Sequence, residues 1–424
     1  MTTISERLAP IPQPVLDIFD KLSSNQAVSD AITQAQTDEQ LTLRDQIELT
    51  EIEAPPFHEE VRAANFAERL KALGLESVRI DKEGNVIGIR PGVGNGPRLV
   101  LAAHLDTVFP AGTPVKVRQE GTRYYAPGIS DDARGLAVIL EVLRLMQQYK
   151  IETVGDVLFV GTVGEEGNGD LRGSKYLFGS KEEHIDGFIS VDGVNINRVL
   201  HGATGSRRYR AIYEGPGGHS WNAFGNASAI HALGRAIAKI ADLHTPEDPR
   251  TTFTVGTIVG GTTVNAIAAK AEAEIDMRSI NNDALNTLVE TVLEILQKAA
   301  DEENARWNAT GDKEVKLKLI PIGHRPGGDQ SDDTSVLLAA RGAMERLGIP
   351  LLKYTHASTD QNVAMSLGIP ATTLGGGGSE GNNHNVTEWY DSTDSYLGPQ
   401  LALLTALSLV GVKELTTPLL SKQP

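Results

Sequence analysis

The chain has 424 residues, enough at about 150 residues per domain for two large domains or three smaller ones, and its 39 Lys+Arg against 55 Asp+Glu leave a formal net charge of −16. That acidity argues against a nucleic-acid partner, because holding phosphates rests on Lys and Arg. With no cysteine, disulfide scaffolds, thiolate zinc sites, iron–sulfur clusters and cysteine nucleophiles are excluded, while a hydrophobic content of 40% is enough for a sizeable core.

The opening segment lacks a basic stretch followed by an apolar one, so it does not read as a signal peptide. Over residues 1–55 the broken periodicity of Val15, Ile18, Phe19 and Leu22 predicts helices packed on the body. Phe57 to Leu73 reads as a helix stopped by Gly74, and Ser77 to Arg90 as a hairpin turning at Glu83-Gly84-Asn85. Arg98–Ala103 is then continuously apolar after its first residue, as a strand buried on both faces must be. Gly135–Tyr149 reads as a helix, and Asp156–Val163, Gly187–Val191 and Ala371–Leu374 as further buried strands. Strands alternating with helices predict an α/β fold with a doubly wound, mostly parallel sheet.

Inside it sits a different pattern. Strand Ser206–Glu214, helix Ala227–Ala241, strands Phe253–Val259 and Lys270–Arg278, helix Ala284–Glu303 and strand Glu314–Ile320 give the order βαββαβ, a ferredoxin-like insertion. The expected division is 1–204 with 321–424 as one domain and 205–320 as the other. The longest apolar stretch, Leu401–Val412, contains Thr and Ser and is short of the ~20 residues a membrane span needs. A cytoplasmic protein with no membrane partner is expected.

In open α/β sheets, function collects at the carboxyl ends of the strands. The segments at those ends carry His104-Leu105-Asp106, Glu165-Glu166, Asp192 and His384, and Asp131-Asp132 lies just before the long helix. Singly these have ordinary readings: a surface pair, a solvated helix start, a turn, a loop histidine, an N-cap. Five distant segments delivering His or carboxylate to one edge point instead to metal. Two dications about 3.5–4 Å apart repel by roughly 19 kcal/mol at an effective dielectric of 20, so anions must surround them and one should bridge. Asp131, Glu166 and Asp192 supply three negative charges and His104 and His384 neutral nitrogens. That O/N set suits Zn²⁺, with Co²⁺ or Mn²⁺ as alternatives.

Taken together, His104-x-Asp106, Gly128-Ile-Ser-Asp131-Asp132, Gly164-Glu165-Glu166-Gly167, Val191-Asp192-Gly193, Gly217-Gly218-His219-Ser220 and His384 resemble, in order and spacing over roughly residues 50–415, the M20 family of metallopeptidases. The family includes tripeptidases, glutamate carboxypeptidases and N-acyl amino acid deacylases. The resemblance implies that His104, Asp131 and Asp192 hold one metal and Asp131, Glu166 and His384 the other. It makes Asp131 the bridge, Glu165 the general base, and Asp106 the acceptor from the second ring N–H of His104. It implies a catalytic domain plus an inserted lid and dimerisation domain, hence a homodimer. His219 would stabilise the oxyanion in the partner's site, and Asn265 and Arg278 would grip the substrate. In the resemblance Asp at position 192 goes with tripeptidase and aminopeptidase members, so a small peptide is the expected substrate. A carboxypeptidase or deacylase acting on N-acyl amino acids is the alternative within the family, and a catalytically silent metal-binding dimerisation protein the alternative outside it. Ala133-Arg134 departs from the residues common after the paired aspartates. Gly375–Gly378 reads as a close backbone approach near substrate, since no phosphate-loop Lys comes after it. Asp360 reads as structural, and His58, His184, His231, His244 and His324 join no motif.

Overall fold

The computed structural model describes residues 8–180 and 182–423. The chain divides into two compact units, one formed by residues 1–203 and 329–424, the other by Thr204–Gly328.

The larger unit is built on a six-stranded sheet. Its spatial order is Ser77–Ile80, Val86–Arg90, Asp156–Thr162, Arg98–His104, Gly187–Val191, Ala371–Leu374. Val86–Arg90 is antiparallel to both of its neighbours, Ser77–Ile80 and Asp156–Thr162, and the last four strands run parallel to one another. Continuous apolarity has its expected cause here. Leu99, Leu101, Val157, Phe159 and Ile189 face one core, which includes helices Gln13–Ser24, Ala133–Gln148, Ser335–Leu347 and Leu397–Val410. Their immediate neighbours Val100, Leu158, Val160 and Phe188 face the opposite core with Leu177 and Ala364. Helices on both faces make the sheet doubly wound. Each fully buried aliphatic side chain contributes roughly 1.5–3 kcal/mol relative to exposure. The apolar segment ending at Val410 is thus a buried helix, and no helix among the described residues is long and apolar enough to cross a membrane.

From Arg98–His104 the chain passes through helix Ala133–Gln148 to the strand on one side, then through helix Arg172–Gly179 to Gly187–Val191 on the other. Strand order therefore reverses about Arg98–His104, and the carboxyl ends of the strands flanking such a reversal open a crevice.

Several elements differ from expectation. The helix expected from Phe57 starts at Glu60, because Phe57, after two prolines, takes φ 71° and stands exposed. Two small sheets were not foreseen. Strands Gly328–Asp329, Arg198–Ala203 and Lys353–Ala357 form one; Ser379–Gly381, Trp389–Asp391, Arg123–Tyr125 and Arg118–Glu120 form the other. Their strands have six residues or fewer, too short to show a period.

The smaller unit is a four-stranded antiparallel sheet ordered Thr251–Gly260, Lys270–Ser279, Gly205–Glu214, Lys316–Arg325, with helices Ala229–Ala241 and Asn282–Trp307 packed on it. That is the ferredoxin-like βαββαβ order. Its last strand runs to Arg325 rather than Ile320, past a register shift between Pro321 and Gly323, and the unit closes at Gly328.

Candidate metal centre

The strand Arg98–His104 ends on His104, which is buried. Its Nδ1–H donates to the backbone carbonyl of Asp106 at 3.0 Å. A carbonyl oxygen can only accept, so Nδ1 carries a proton, and Nε2 lies within hydrogen-bond distance, 2.9 Å, of Asp131 Oδ1. The expected acceptor was the Asp106 carboxylate, but that stands 3.6 Å from Nδ1. It accepts instead the backbone N–H groups of Glu165 and Glu166, at 3.0 and 2.8 Å. Asp106 thereby fixes the bend, entered through Gly164 at φ 65°, that carries both glutamates.

Asp131 and Asp132 divide the work at the start of helix Ala133–Gln148, joined by a cis peptide. Asp132 points inward, accepting from the Gly135 N–H at 3.0 Å as an N-cap and from the His104 N–H at 3.1 Å. Asp131 turns outward, and its Oδ2 lies 3.2 Å from His384 Nε2, which is also 3.1 Å from Glu166 Oε1.

Two groups of potential ligands result. His104, Asp131 and Asp192 form one and Asp131, Glu166 and His384 the other, each with its ligand atoms within 4.8 Å of one another and with Asp131 shared. Glu165 offers an oxygen within the same distance of His104 and Glu166. Burial and the neighbouring Asp131 push Asp192 up to about 7. Asp131 goes the other way: hydrogen bonds with His104 and His384 outweigh its burial and hold it far below the usual carboxylate range. His384, hydrogen-bonded to Asp131 and Glu166, is pushed up to about 10. A buried set of carboxylates that displaces one member's titration this far is a set that fits divalent cations, as does its mix of imidazole and carboxylate.

Sequence reading missed the groups that hold this cluster in place. Glu388, fully buried, accepts from the N–H groups of Gly128 and Ser130, each at 2.9 Å, and from the Ser130 hydroxyl at 2.6 Å. It thus fixes the turn that presents Asp131. Arg134 is buried too, and donates to the carbonyls of Gly376 and Ser395 at 2.8 and 2.7 Å. The glycine run Gly375–Gly378 is a close approach as expected, but to the protein's own chain: side chains there would strike Asn195, Arg134, Ser395 and Tyr390. Asp360 is buried, accepting from Thr162 and Ser174 hydroxyls at 2.5 and 2.6 Å. Only spacing after His384 could have pointed to Glu388, and no motif marks it.

In the smaller unit, His219 pairs with Ala266 on a short ladder, and its Nδ1 accepts from the Trp221 N–H at 3.2 Å. The backbone carbonyl of Asn265 accepts from the Ser220 N–H at 3.0 Å. Both line an open groove of about 660 Å³ that also includes Gly217, Gly218, Thr263 and Lys270. Arg278 is not among its lining residues; it lies on the strand Lys270–Ser279 with its Nε 2.6 Å from Asp276.

The sequence model described as Peptidase family M20/M25/M40 matches residues 100–408. Carboxypeptidase G2 of Pseudomonas sp. strain RS-16 is 27% identical over 376 residues, covering 78% of this chain and 87% of its own length. A tripeptidase of Staphylococcus aureus superposes with a TM-score of 0.73 at 24% identity, over 87% of this chain and 97% of its own. A dinuclear metal-binding M20 peptidase of Bacillus subtilis does so with 0.62 at 18%, over 88% and 98%.

Proposed function

Because the chain belongs to peptidase family M20/M25/M40, we propose that it hydrolyses an amide bond of a small peptide, in the manner of a tripeptidase or aminopeptidase, with two divalent cations, zinc foremost. The observation that carries this reading is the sharing of Asp131 between two ligand groups beside the paired glutamates. His104, Asp131 and Asp192 would hold one cation, and Asp131, Glu166 and His384 the other. Such cations supply Lewis acidity toward a carbonyl oxygen and make water acidic enough to react near neutral pH.

The remaining chemistry falls to the chain. Glu166 and Glu165 leave the same bend, both N–H groups pinned by Asp106, so one carboxylate can serve as ligand while its neighbour faces the attacking water. Glu165 takes the water's proton and returns it to the leaving amine nitrogen, the two halves of general base and general acid catalysis. Asp106 and Glu388 hold the ligands still. His219 and Asn265 would bind the reacting carbonyl and the substrate backbone. Arg278, held by Asp276, keeps a planar donor array suited to a carboxylate.

A second reading, a carboxypeptidase or N-acyl amino acid deacylase, draws support from the length of the match to carboxypeptidase G2. Turnover of di- and tripeptides, C-terminal glutamyl compounds and N-acyl amino acids by zinc- and cobalt-loaded protein separates the two. Preference for tripeptides is expected, and activity confined to the glutamyl or acyl compounds would favour the second. A cytoplasmic homodimer formed through the smaller unit is part of the proposal, with His219 serving the partner's site. Mixing His219→Ala with Glu165→Ala chains then restores partial turnover; none would argue for self-contained sites.

A further inference from the structure

A second set of metal-ligating side chains lies in the larger unit and shares no residue with the Asp131 centre. His201, Asp329 and His356 stand on three neighbouring strands, Arg198–Ala203 in the middle, Gly328–Asp329 and Lys353–Ala357 beside it. Neighbouring strands are about 4.8 Å apart, so three side chains on one face can meet. The parallel ladder is irregular between Thr355 and His356, which sets His356 opposite Gly202; irregularities of this kind re-aim a side chain. Gly202 accommodates the ring, since a Cβ there would lie 2.2 Å from His356 Cδ2. His201 is held flat against Tyr354, with ring centroids 4.3 Å apart at 6°, and Tyr354 donates its hydroxyl to Asp332 at 2.6 Å.

The donors converge on one carboxylate oxygen. His201 Nδ1 is 3.7 Å and His356 Nε2 3.9 Å from Asp329 Oδ1, and all three ligand atoms lie within 4.8 Å of one another. These separations are too long for direct hydrogen bonds. They lie a few tenths of an ångström above the roughly 3.3–3.4 Å between ligands of a tetrahedral ion with bonds of 2.0–2.1 Å. Both imidazoles are pushed toward the neutral form, His201 by burial and by His356, His356 by burial, and neutral imidazole is the ligand form. Asp329 is exposed, at 67%, leaving room for a water as fourth ligand. Two imidazoles and one carboxylate make a borderline donor set, suited to zinc rather than to magnesium or calcium.

We propose that His201, Asp329 and His356 bind one zinc-class divalent cation that ties the three strands together. The test strips the full-length protein with chelator, reloads it with zinc, removes the excess and measures zinc per chain by emission spectroscopy. Wild type is expected to hold one equivalent more than Asp329→Asn and than His356→Gln. Peptide hydrolysis should stay within twofold in both variants. The readout is the difference between wild type and variant, so it stands whatever the Asp131 centre takes up. Asp329→Asn alters an exposed side chain and decides the matter should His356→Gln fail to fold. Equal zinc in wild type and Asp329→Asn would overturn the proposal. So would a cobalt absorption spectrum that is unchanged by Asp329→Asn.

Discussion

The Asp131 centre and the His201 sheet place similar ligands in opposite settings. At the first, carboxylates outnumber imidazoles, every ligand but His384 is at least mostly buried, and the supporting contacts are ionic or backbone hydrogen bonds: Asp106 to two N–H groups, Glu388 to the Ser130 turn. At the second, imidazoles outnumber carboxylates and support comes from a flat Tyr354 stack and a glycine-lined space. Excess buried negative charge favours bringing up cations and polarising what they hold, whereas a nearly neutral set on three strands suits holding a fold together. In the proposed function catalysis falls to the first region.

The largest effect expected breaks that contrast at its centre. Glu165→Gln should lower turnover on the order of 10²- to 10⁴-fold with zinc content unchanged; full turnover would remove Glu165 as base. Next comes Glu388→Gln, which touches no proposed ligand except through the Asp131 turn. Loss of such orienting contacts typically costs 10- to 100-fold in metal affinity or activity, and zinc titration alongside kinetics should show the fall. An unaltered affinity and rate would make Glu388 a folding residue only.

The contrast also explains what could be read from sequence. The residues proposed as ligands of the Asp131 centre sit at strand ends, at a helix start and in loops, where glycines that permit the turns lie close by, as Gly164 and Gly167 flank Glu165 and Glu166. Local backbone demand and chemistry coincide there, so a motif forms. Glu388 and Arg134 act over more than 240 residues of sequence, and no local pattern encodes such a contact. His201, Asp329 and His356 lie singly on short strands whose pairing is set by tertiary packing, which is why neither the sheet nor the trio was foreseen. The large sheet was legible because burial on both faces makes its strands continuously apolar. The end of the smaller unit was misplaced because the register shift at Pro321 hides the last residues of its strand.

Proton competition sharpens the comparison at smaller amplitude. Asp192 titrates near 7 with no cation bound, raised by burial and by Asp131. As pH falls through 7 it takes up a proton that an arriving cation must displace. Zinc affinity at the Asp131 centre should therefore drop by an extra factor of about ten per unit below pH 7. Calorimetry in buffers of different ionisation enthalpy should find one more proton released per chain at pH 6 than at pH 8. His201 and His356 are both shifted below the usual imidazole value, so their site should keep its zinc to lower pH. Equal release at the two pH values would place the Asp192 titration elsewhere.

The smallest effect isolates the second region. In an Asp131→Asn background, which disables the shared ligand, zinc at 100 times its dissociation constant should still stabilise the fold by about 2.7 kcal/mol through binding the native state alone. For a unit of this size that is a rise in Tm on the order of 5 °C. Adding Asp329→Asn should abolish the rise, and magnesium at the same concentration should give none, because the donor set is two-thirds imidazole. A zinc-dependent rise that survives Asp329→Asn would locate the stabilising ion at other residues. A rise equal with magnesium would mean that a carboxylate cluster, not the His201 sheet, is responsible.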